Sequence, residues 1–127
     1  MARADYSVTI VEASKDLSAK EKILLKDTTD AISIDKLTSE HGTVIITVDA
    51  WAELAVHNEK SDDKDYSQYL LIGDDGTKYV TGSESFFDSF LDIWTDMEGE
   101  EEEWQLKLYR LPSKNFTGRD FITCSIV

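Results

Sequence analysis

Cysteine and histidine are scarce in this sequence, and their scarcity limits the chemistry that the chain can perform. Cys124 is the one cysteine among 127 residues, so an internal disulfide is impossible, which favours a reducing compartment. His41 and His57 do not combine with Cys124 into a recognisable zinc-binding spacing. Neither a G-x-x-x-x-G-K-[ST] phosphate loop nor a G-x-S-x-G elbow is present. We therefore expect no enzyme activity and no cofactor, although carboxylates from distant parts of the chain could still meet at a divalent metal.

Long apolar runs are also missing. No segment approaches the roughly 18 to 20 consecutive apolar residues that a membrane-crossing helix needs. The hydrophobic fraction of 41% and the three tryptophans nevertheless exceed what disordered chains carry. A length of 127 residues suffices for one domain with a single core. These features predict a soluble, cytoplasmic protein that does not contact a membrane.

Positive charge is scarce as well, and charge of both signs is unevenly spread along the chain. The formal net charge is -13, and residues 84–103 contain nine acids and no base. Residues 104–127 reverse this pattern, with Asp120 as the one acid against four bases: Lys107, Arg110, Lys114 and Arg119. Either the acidic stretch is a solvated helix face and the basic end is chance, or a local basic groove binds nucleic acid despite the net charge.

Sequence patterns predict the elements of the first half of the chain. Residues 17–28 combine a capping box, Ser18 with Glu21, with a helix-forming run and therefore predict a short helix. The next stretch, "DAISIDKLTSEHG", is ambiguous. Residues 43–58 are β-branched and apolar for longer than an average strand, which predicts one bent strand or two strands joined near Asp49 and Ala50. The remaining signals are a loop at "NEKSDDKD", a returning strand at "YSQYLLI" and a hairpin at Asp75-Gly76.

The apolar period then changes from that of a strand to that of a helix. In "SESFFDSFLDIWTDM" the apolar residues recur at helical spacing, with Asp88, Asp92 and Asp96 on the opposite side. We interpret the aromatic stripe as core and Ser85 with Asp88 as a capping pair. "WQLKLYRL" and "DFITCSIV" then alternate as two strands, with the turn between them bracketed by Pro112 and Gly118.

This order of elements predicts the fold class. Strands, a hairpin, one helix and a final hairpin are typical of a mostly β, five-stranded Greek-key barrel of the OB type, with one helix between strands three and four. The barrel spans residues 43–127, and residues 1–42 form a partly helical N-terminal extension. In such a barrel the loops joining strands one and two and strands four and five flank the binding face. "NEKSDDKD" and "PSKNFTG" occupy those two positions.

The predicted interface collects basic and aromatic residues for single-stranded nucleic acid. Lysine and arginine neutralise phosphates, and exposed aromatic rings stack on unpaired bases. Alternation brings Lys107 and Tyr109 onto the same face as Phe121. The full candidate set is Lys107, Tyr109, Lys114, Asn115, Phe116, Arg119 and Phe121, with Trp51, Tyr69, Lys78 and Tyr79 added on strands whose facing depends on where the long first strand bends.

Two stretches of the chain resemble a known family. "DGTKYVTGSESFFDSFLDIW" and "WQLKLYRLPSKNFTGRDFITCSIV" are similar to the small single-stranded DNA-binding proteins of tailed bacteriophages, over about residues 43–127. The resemblance implies an OB fold and largely sequence-independent coating of single strands during phage DNA replication or recombination, in the host cytoplasm. It implies single-stranded DNA as partner. Replication or recombination proteins as further partners, and an oligomeric state, stay open at this point. Bacterial relatives end in a flexible acidic tail, whereas this chain ends in "TCSIV".

A rival interpretation uses the acidic residues instead. Asp88, Asp92, Asp96 and the run Glu98 to Glu103 could form a DNA-like surface that occupies a basic site on a nucleic-acid enzyme or a host defence protein. Salt-sensitive binding to single strands separates the two interpretations, because the acidic interaction protein would not bind them.

Overall fold

Eight strands and three helices follow one another along the described part of the chain. The computed structural model describes residues 6–60, 62, 64–112 and 120–127. The strands are β1 (Tyr6–Ala13), β2 (Ile32–Ser33), β3 (Val44–Ile46), β4 (Val48–Asn58), β5 (Asp65–Gly73), β6 (Lys78–Thr81), β7 (Leu106–Pro112) and β8 (Asp120–Ile126). The helices are α1 (Ala19–Lys26), α2 (Ile34–His41) and α3 (Glu84–Met97). The prediction of a mostly β protein is confirmed.

The described strands form two sheets. Sheet A has the order β1-β4-β5-β6-β2, in which the short β2 pairs parallel with β6 and the other neighbours are antiparallel. Sheet B is antiparallel and has the order β3-β7-β8. These strands do not close into a single barrel, so the predicted five-stranded Greek-key barrel is not confirmed.

The long apolar stretch of residues 43–58 is divided between the two sheets. Its first part, β3, pairs with β7, whereas its second part, β4, pairs with β1 and β5. The interruption lies at Thr47, and a register shift between Val48 and Ala50 follows it. Because a bulge bends the strand that contains it, the chain changes direction here and passes from sheet B into sheet A. Of the two predicted alternatives, two joined strands is the one observed, with the break slightly earlier than expected.

The N-terminal segment supplies both edge strands of sheet A. β1 pairs with β4 from Tyr6 opposite Asn58 to Ala13 opposite Ala52. α1 follows with the predicted capping box, since the Ser18 hydroxyl accepts from the Glu21 amide and the Glu21 carboxylate accepts from the Ser18 amide, both at 3.2 Å. The ambiguous stretch divides into β2 and α2.

The β5–β6 hairpin turns at the predicted Asp75-Gly76 pair. The Gly73 amide donates to the Thr77 carbonyl at 2.8 Å, and Gly76 adopts φ 86°. That conformation strains residues with a Cβ, which explains the glycine.

α3 begins two residues earlier than the sequence suggests. Ser83 is the N-cap, and its hydroxyl accepts from the Phe86 amide at 3.2 Å. The predicted capping pair of Ser85 with Asp88 is wrong, because Ser85 already lies inside the helix. The aromatic stripe is core as predicted, since Phe86, Phe87 and Phe90 are each at most 2% exposed.

Two apolar clusters cover opposite faces of sheet A. The larger cluster packs Trp51, Tyr69 and Leu71 of sheet A against α3 and against the inner face of sheet B. On that inner face Leu106 and Leu108 are fully buried. The smaller places Ala52, Leu54 and Leu70 of sheet A beneath Leu25 of α1. Sheet A therefore lies in the middle of the molecule, and sheet B has one packed face.

Candidate nucleic-acid interface

The outer face of sheet B is formed by alternate residues of its three strands. Pairing places Ile45 opposite Lys107, Tyr109 opposite Thr123 and Leu111 opposite Phe121, and directly opposed residues share one face. Ile122 and Cys124 lie between these positions and are buried on the inner side. The predicted alternation of both strands is confirmed. We call this surface the open face, and its residues are Ile45, Lys107, Tyr109, Leu111, Phe121, Thr123 and Ser125.

The open face carries exposed apolar and aromatic area. Ile45 is 50% exposed, Phe121 45% and Leu111 41%, while Tyr109 is half-buried. The Lys107 ammonium lies 4.9 Å from the centroid of the Tyr109 ring, within the range of a cation–π contact. A half-exposed phenylalanine beside such a pair offers rings and a positive charge on one surface.

The strands of sheet B are poor in acids although the chain contains 26 of them. Asp120 is the one acid within the three strands, and its carboxylate accepts a hydrogen bond of 2.8 Å from Arg110. This hydrogen bond holds the pKa of the Asp120 carboxyl below its usual range. The guanidinium also donates to the Asp35 carbonyl and the Thr38 hydroxyl of α2, both at 3.2 Å. Arg110 therefore neutralises Asp120 and fastens α2 to β7 instead of pointing outward.

Four predicted site residues lie between β7 and β8. Lys114, Asn115, Phe116 and Arg119 belong to residues 113–119, which are outside the described residues. Pro112 and Asp120, the residues on either side of this segment, lie opposite each other in sheet B.

Trp51 and Tyr69 lie in the core instead of on the predicted interface. They are 8% and 6% exposed, and the Tyr69 ring stacks on Phe87 with centroids 4.5 Å apart. Burial raises the pKa of the Tyr69 hydroxyl. Since both rings are covered by α3, neither presents a face to a base, and these two residues are removed from the interface.

Lys78 and Tyr79 lie in sheet A, away from the open face. The Lys78 ammonium donates to the carbonyls of Leu24 and Asp27 at the C-terminal end of α1, the latter at 2.6 Å. Tyr79 is half-buried against the larger cluster, and burial raises the pKa of its hydroxyl. The structure therefore brings together Lys107, Tyr109 and Phe121 among the described candidates, and it separates the four residues of sheet A from them.

Sequence reasoning missed two contributors to the open face. Leu111 continues the alternation of Lys107 and Tyr109, so that pattern could have identified it. Ile45 had no such signal, because its position depends on the pairing of β3 with the distant β7.

Other site chemistry is limited within the part of the chain that the structure describes. Cys124 is a core residue, and burial raises the pKa of its thiol to about 12. No group of three or more histidine, cysteine, aspartate or glutamate residues among the described positions is arranged to hold a metal ion. None of the described helices combines the length and apolarity needed to cross a membrane.

Comparison with protein-family models, curated proteins and solved structures finds no match to this chain.

Proposed function

We propose that the protein binds single-stranded DNA on the open face of sheet B, as a largely sequence-independent coating protein with an OB-type fold. The observation that carries this proposal is the open face itself, where Tyr109, Phe121 and Lys107 share a surface whose outward positions include no acid. In a chain of net charge -13, a surface without acids repels phosphates less than the exposed acids of α3 do.

The strand connectivity supports the fold part of the proposal. In a five-stranded Greek-key barrel the first strand bends and pairs with both the second and the fourth. Here the stretch β3–β4 pairs with β5 on one side and β7 on the other, and α3 follows β6. OB barrels are partly open, so a gap between β6 and β8 is compatible with the class.

The geometry of the open face supports stacking. Tyr109 lies opposite Thr123, and Phe121 is two residues from Thr123, so the two rings are diagonal neighbours on adjacent strands. Diagonal neighbours lie about 7–8 Å apart at their Cα atoms. Two successive bases of an extended strand can span that separation, and stacking on aromatic rings is tolerant of sequence. Lys107 can then neutralise an adjacent phosphate.

Fluorescence anisotropy tests the proposal directly. A labelled poly-thymidine oligonucleotide and the matching duplex are titrated with the full chain at low and moderate salt. We expect binding to the single strand that weakens as salt rises. Absence of binding by the folded protein at low salt would refute the proposal.

An exposed aromatic of similar accessibility provides a matched control for the site. Phe121→Ala is expected to weaken single-strand affinity by about 1–3 kcal/mol, the usual contribution of one stacked base. Tyr6→Ala removes a ring that is 49% exposed on β1 of sheet A and should leave affinity unchanged. Equal affinities of the two folded variants would exclude the open face as the site, even if the protein binds single strands elsewhere.

A second candidate function rests on the exposed acids of α3. Asp88, Asp92 and Asp96 all face solvent, and the exposed glutamates Glu98 and Glu100 to Glu103 follow. Such a surface can mimic the charge of DNA toward a basic protein. This function predicts no single-strand binding, together with competition against duplex DNA for a basic DNA-binding protein.

A further inference from the structure

A cleft separates α1 from the end of sheet A next to the β5–β6 hairpin. Its volume is about 440 Å³, which falls within the size range of ligand and peptide side-chain pockets. Its apolar lining comes from Ala13, Leu17, Leu24, Leu25, Ala50 and Ile72. This surface lies on sheet A and does not include any residue of the open face.

The charged residues of the cleft are mostly acids. Four carboxylates line it, from Glu21, Asp27, Asp30 and Asp49, together with the ammonium groups of Lys15 and Lys78. Lys15 is paired with Asp49 at 2.9 Å. Lys78 donates to two main-chain carbonyls of the α1 end. Because four carboxylates face two ammonium groups, the lining carries net negative charge and repels phosphate.

The α1 side of the cleft leaves apolar area in water. Leu25 is the one buried residue of this helix, whereas Leu24 lines the cleft and is 55% exposed. Ile23 beside it is 68% exposed. Adjacent exposed aliphatic side chains next to an apolar cleft are typical of interaction sites.

We propose that this cleft docks a short basic segment of a partner protein, which inserts one large apolar side chain between α1 and sheet A. The apolar lining receives the anchor, and the carboxylates pair with flanking lysine or arginine residues. Charge complementarity favours this occupant over nucleic acid. The proposal does not depend on the open face, so failure of either site leaves the other unaffected.

Three synthetic peptides separate the contributions of charge and anchor. The probe is acetyl-GKKGWGKKG-amide, and its controls are GEEGWGEEG, with reversed charge, and GKKGAGKKG, without the anchor. Each is titrated into the ¹⁵N-labelled full chain and followed by amide chemical shifts. We expect the probe to shift amides of α1, β4 and the β5–β6 hairpin, and both controls to bind at least about fivefold more weakly.

Two pairs of variants test the location of binding. Asp30→Lys should weaken binding of the probe peptide at least about fivefold. Asp92→Lys on α3 makes the same change in net charge and should leave that binding unchanged. Leu24→Ser should also weaken binding of the probe peptide, whereas Val11→Ser, which changes an equally exposed residue of β1 outside the lining, should not.

Three outcomes would overturn the proposal. Equal effects of Asp30→Lys and Asp92→Lys would mean diffuse attraction to an acidic protein. Shifts confined to α3 and the following glutamates would place the peptide on that surface instead. Concentration-dependent broadening of the cleft amides without peptide would identify a second copy of the chain as the occupant.

Discussion

Sheet A and sheet B are both antiparallel over most of their length, yet they are buried differently. Sheet A is covered by α3 and sheet B on one face and by α1 on the other. Sheet B is covered on its inner face, while the open face leaves Ile45, Leu111 and Phe121 at least 41% exposed. The difference indicates that sheet A is the stabilising centre of the molecule, whereas sheet B leaves apolar area in contact with water.

The largest expected effect is the difference in unfolding free energy between truncating a buried side chain of sheet A and truncating an exposed side chain of sheet B. Leu70→Ala removes a fully buried side chain of sheet A and should lower the free energy of unfolding by about 2–5 kcal/mol, because it leaves a cavity. Leu111→Ala on the open face should change it by less than about 0.5 kcal/mol, since that side chain already contacts water. Urea unfolding of both variants measures the difference. Similar losses would mean that the open face is covered in solution.

The next effect tests whether α3 joins the two sheets into one cooperative unit. Ser83→Ala removes the N-cap hydroxyl and should lower the free energy of unfolding by about 0.5–2 kcal/mol. Ser89→Ala serves as control and should cost less than about 0.5 kcal/mol, because its hydroxyl lies in the middle of α3 and caps neither end of the helix. Tryptophan fluorescence and far-ultraviolet circular dichroism should report one coincident transition. Two separate transitions would show that the sheets unfold independently.

A smaller effect concerns the charge on the open face. Lys107→Gln removes one phosphate partner and should lower the slope of log affinity against log salt by about 0.7 for single-stranded DNA. Lys22→Gln changes the net charge equally on α1, beside sheet A, and should leave the slope unchanged. Anisotropy titrations over a series of salt concentrations measure both slopes. An equal decrease in the two variants would indicate a general charge effect and no local contact.

The smallest effect is a pH dependence of the free energy of unfolding, and it arises at the β4–β5 end of sheet A. His57 Nδ1 lies 2.7 Å from the Asp65 carboxylate, and Nε2 lies 2.8 Å from that of Glu59. Because a neutral imidazole has one donor, both contacts require the charged form. The Asp65 and then the Glu59 hydrogen bonds raise the pKa of His57 above its usual value of 6.5.

The sign of this dependence follows from the raised pKa. The folded state holds the proton more tightly than the unfolded state, so the contribution to stability is complete below about pH 6.5 and is lost as pH rises through the folded pKa. The effect is small because these groups are solvated. Urea unfolding should show a larger loss between pH 6 and pH 8.5 for the wild-type protein than for His57→Gln. In NMR titrations His57 should deprotonate at higher pH than it does in Asp65→Asn, and an unchanged midpoint would contradict the pairing.

Much of the local structure could be predicted because its causes lie within a few residues. The Ser18–Glu21 capping box and the Asp75-Gly76 turn each act over one turn of chain. The alternation that places Lys107 and Tyr109 on one face is likewise local. The assignment of Trp51 and Tyr69 to the interface failed, because the face that a strand buries depends on which elements cover it.

The N-terminal segment illustrates the same limit. Nothing in residues 6–13 indicates that they pair along β4, since that pairing joins residues about forty to fifty positions apart in the chain. The division of residues 43–58 between two sheets was one of two options in the sequence, and the pairing of β3 with β7 decided between them.

The sequence by itself determined the capped helix α1, the β5–β6 hairpin, the core stripe of α3 and the two-residue period of β7 and β8. Each of these depends on backbone preferences and hydrogen bonds between near neighbours. Only the tertiary structure decided that sheet A is enclosed while sheet B keeps an open face with Tyr109 and Phe121. Burial is a property of contacts between distant segments, and register, bulges and covering helices fix those contacts jointly.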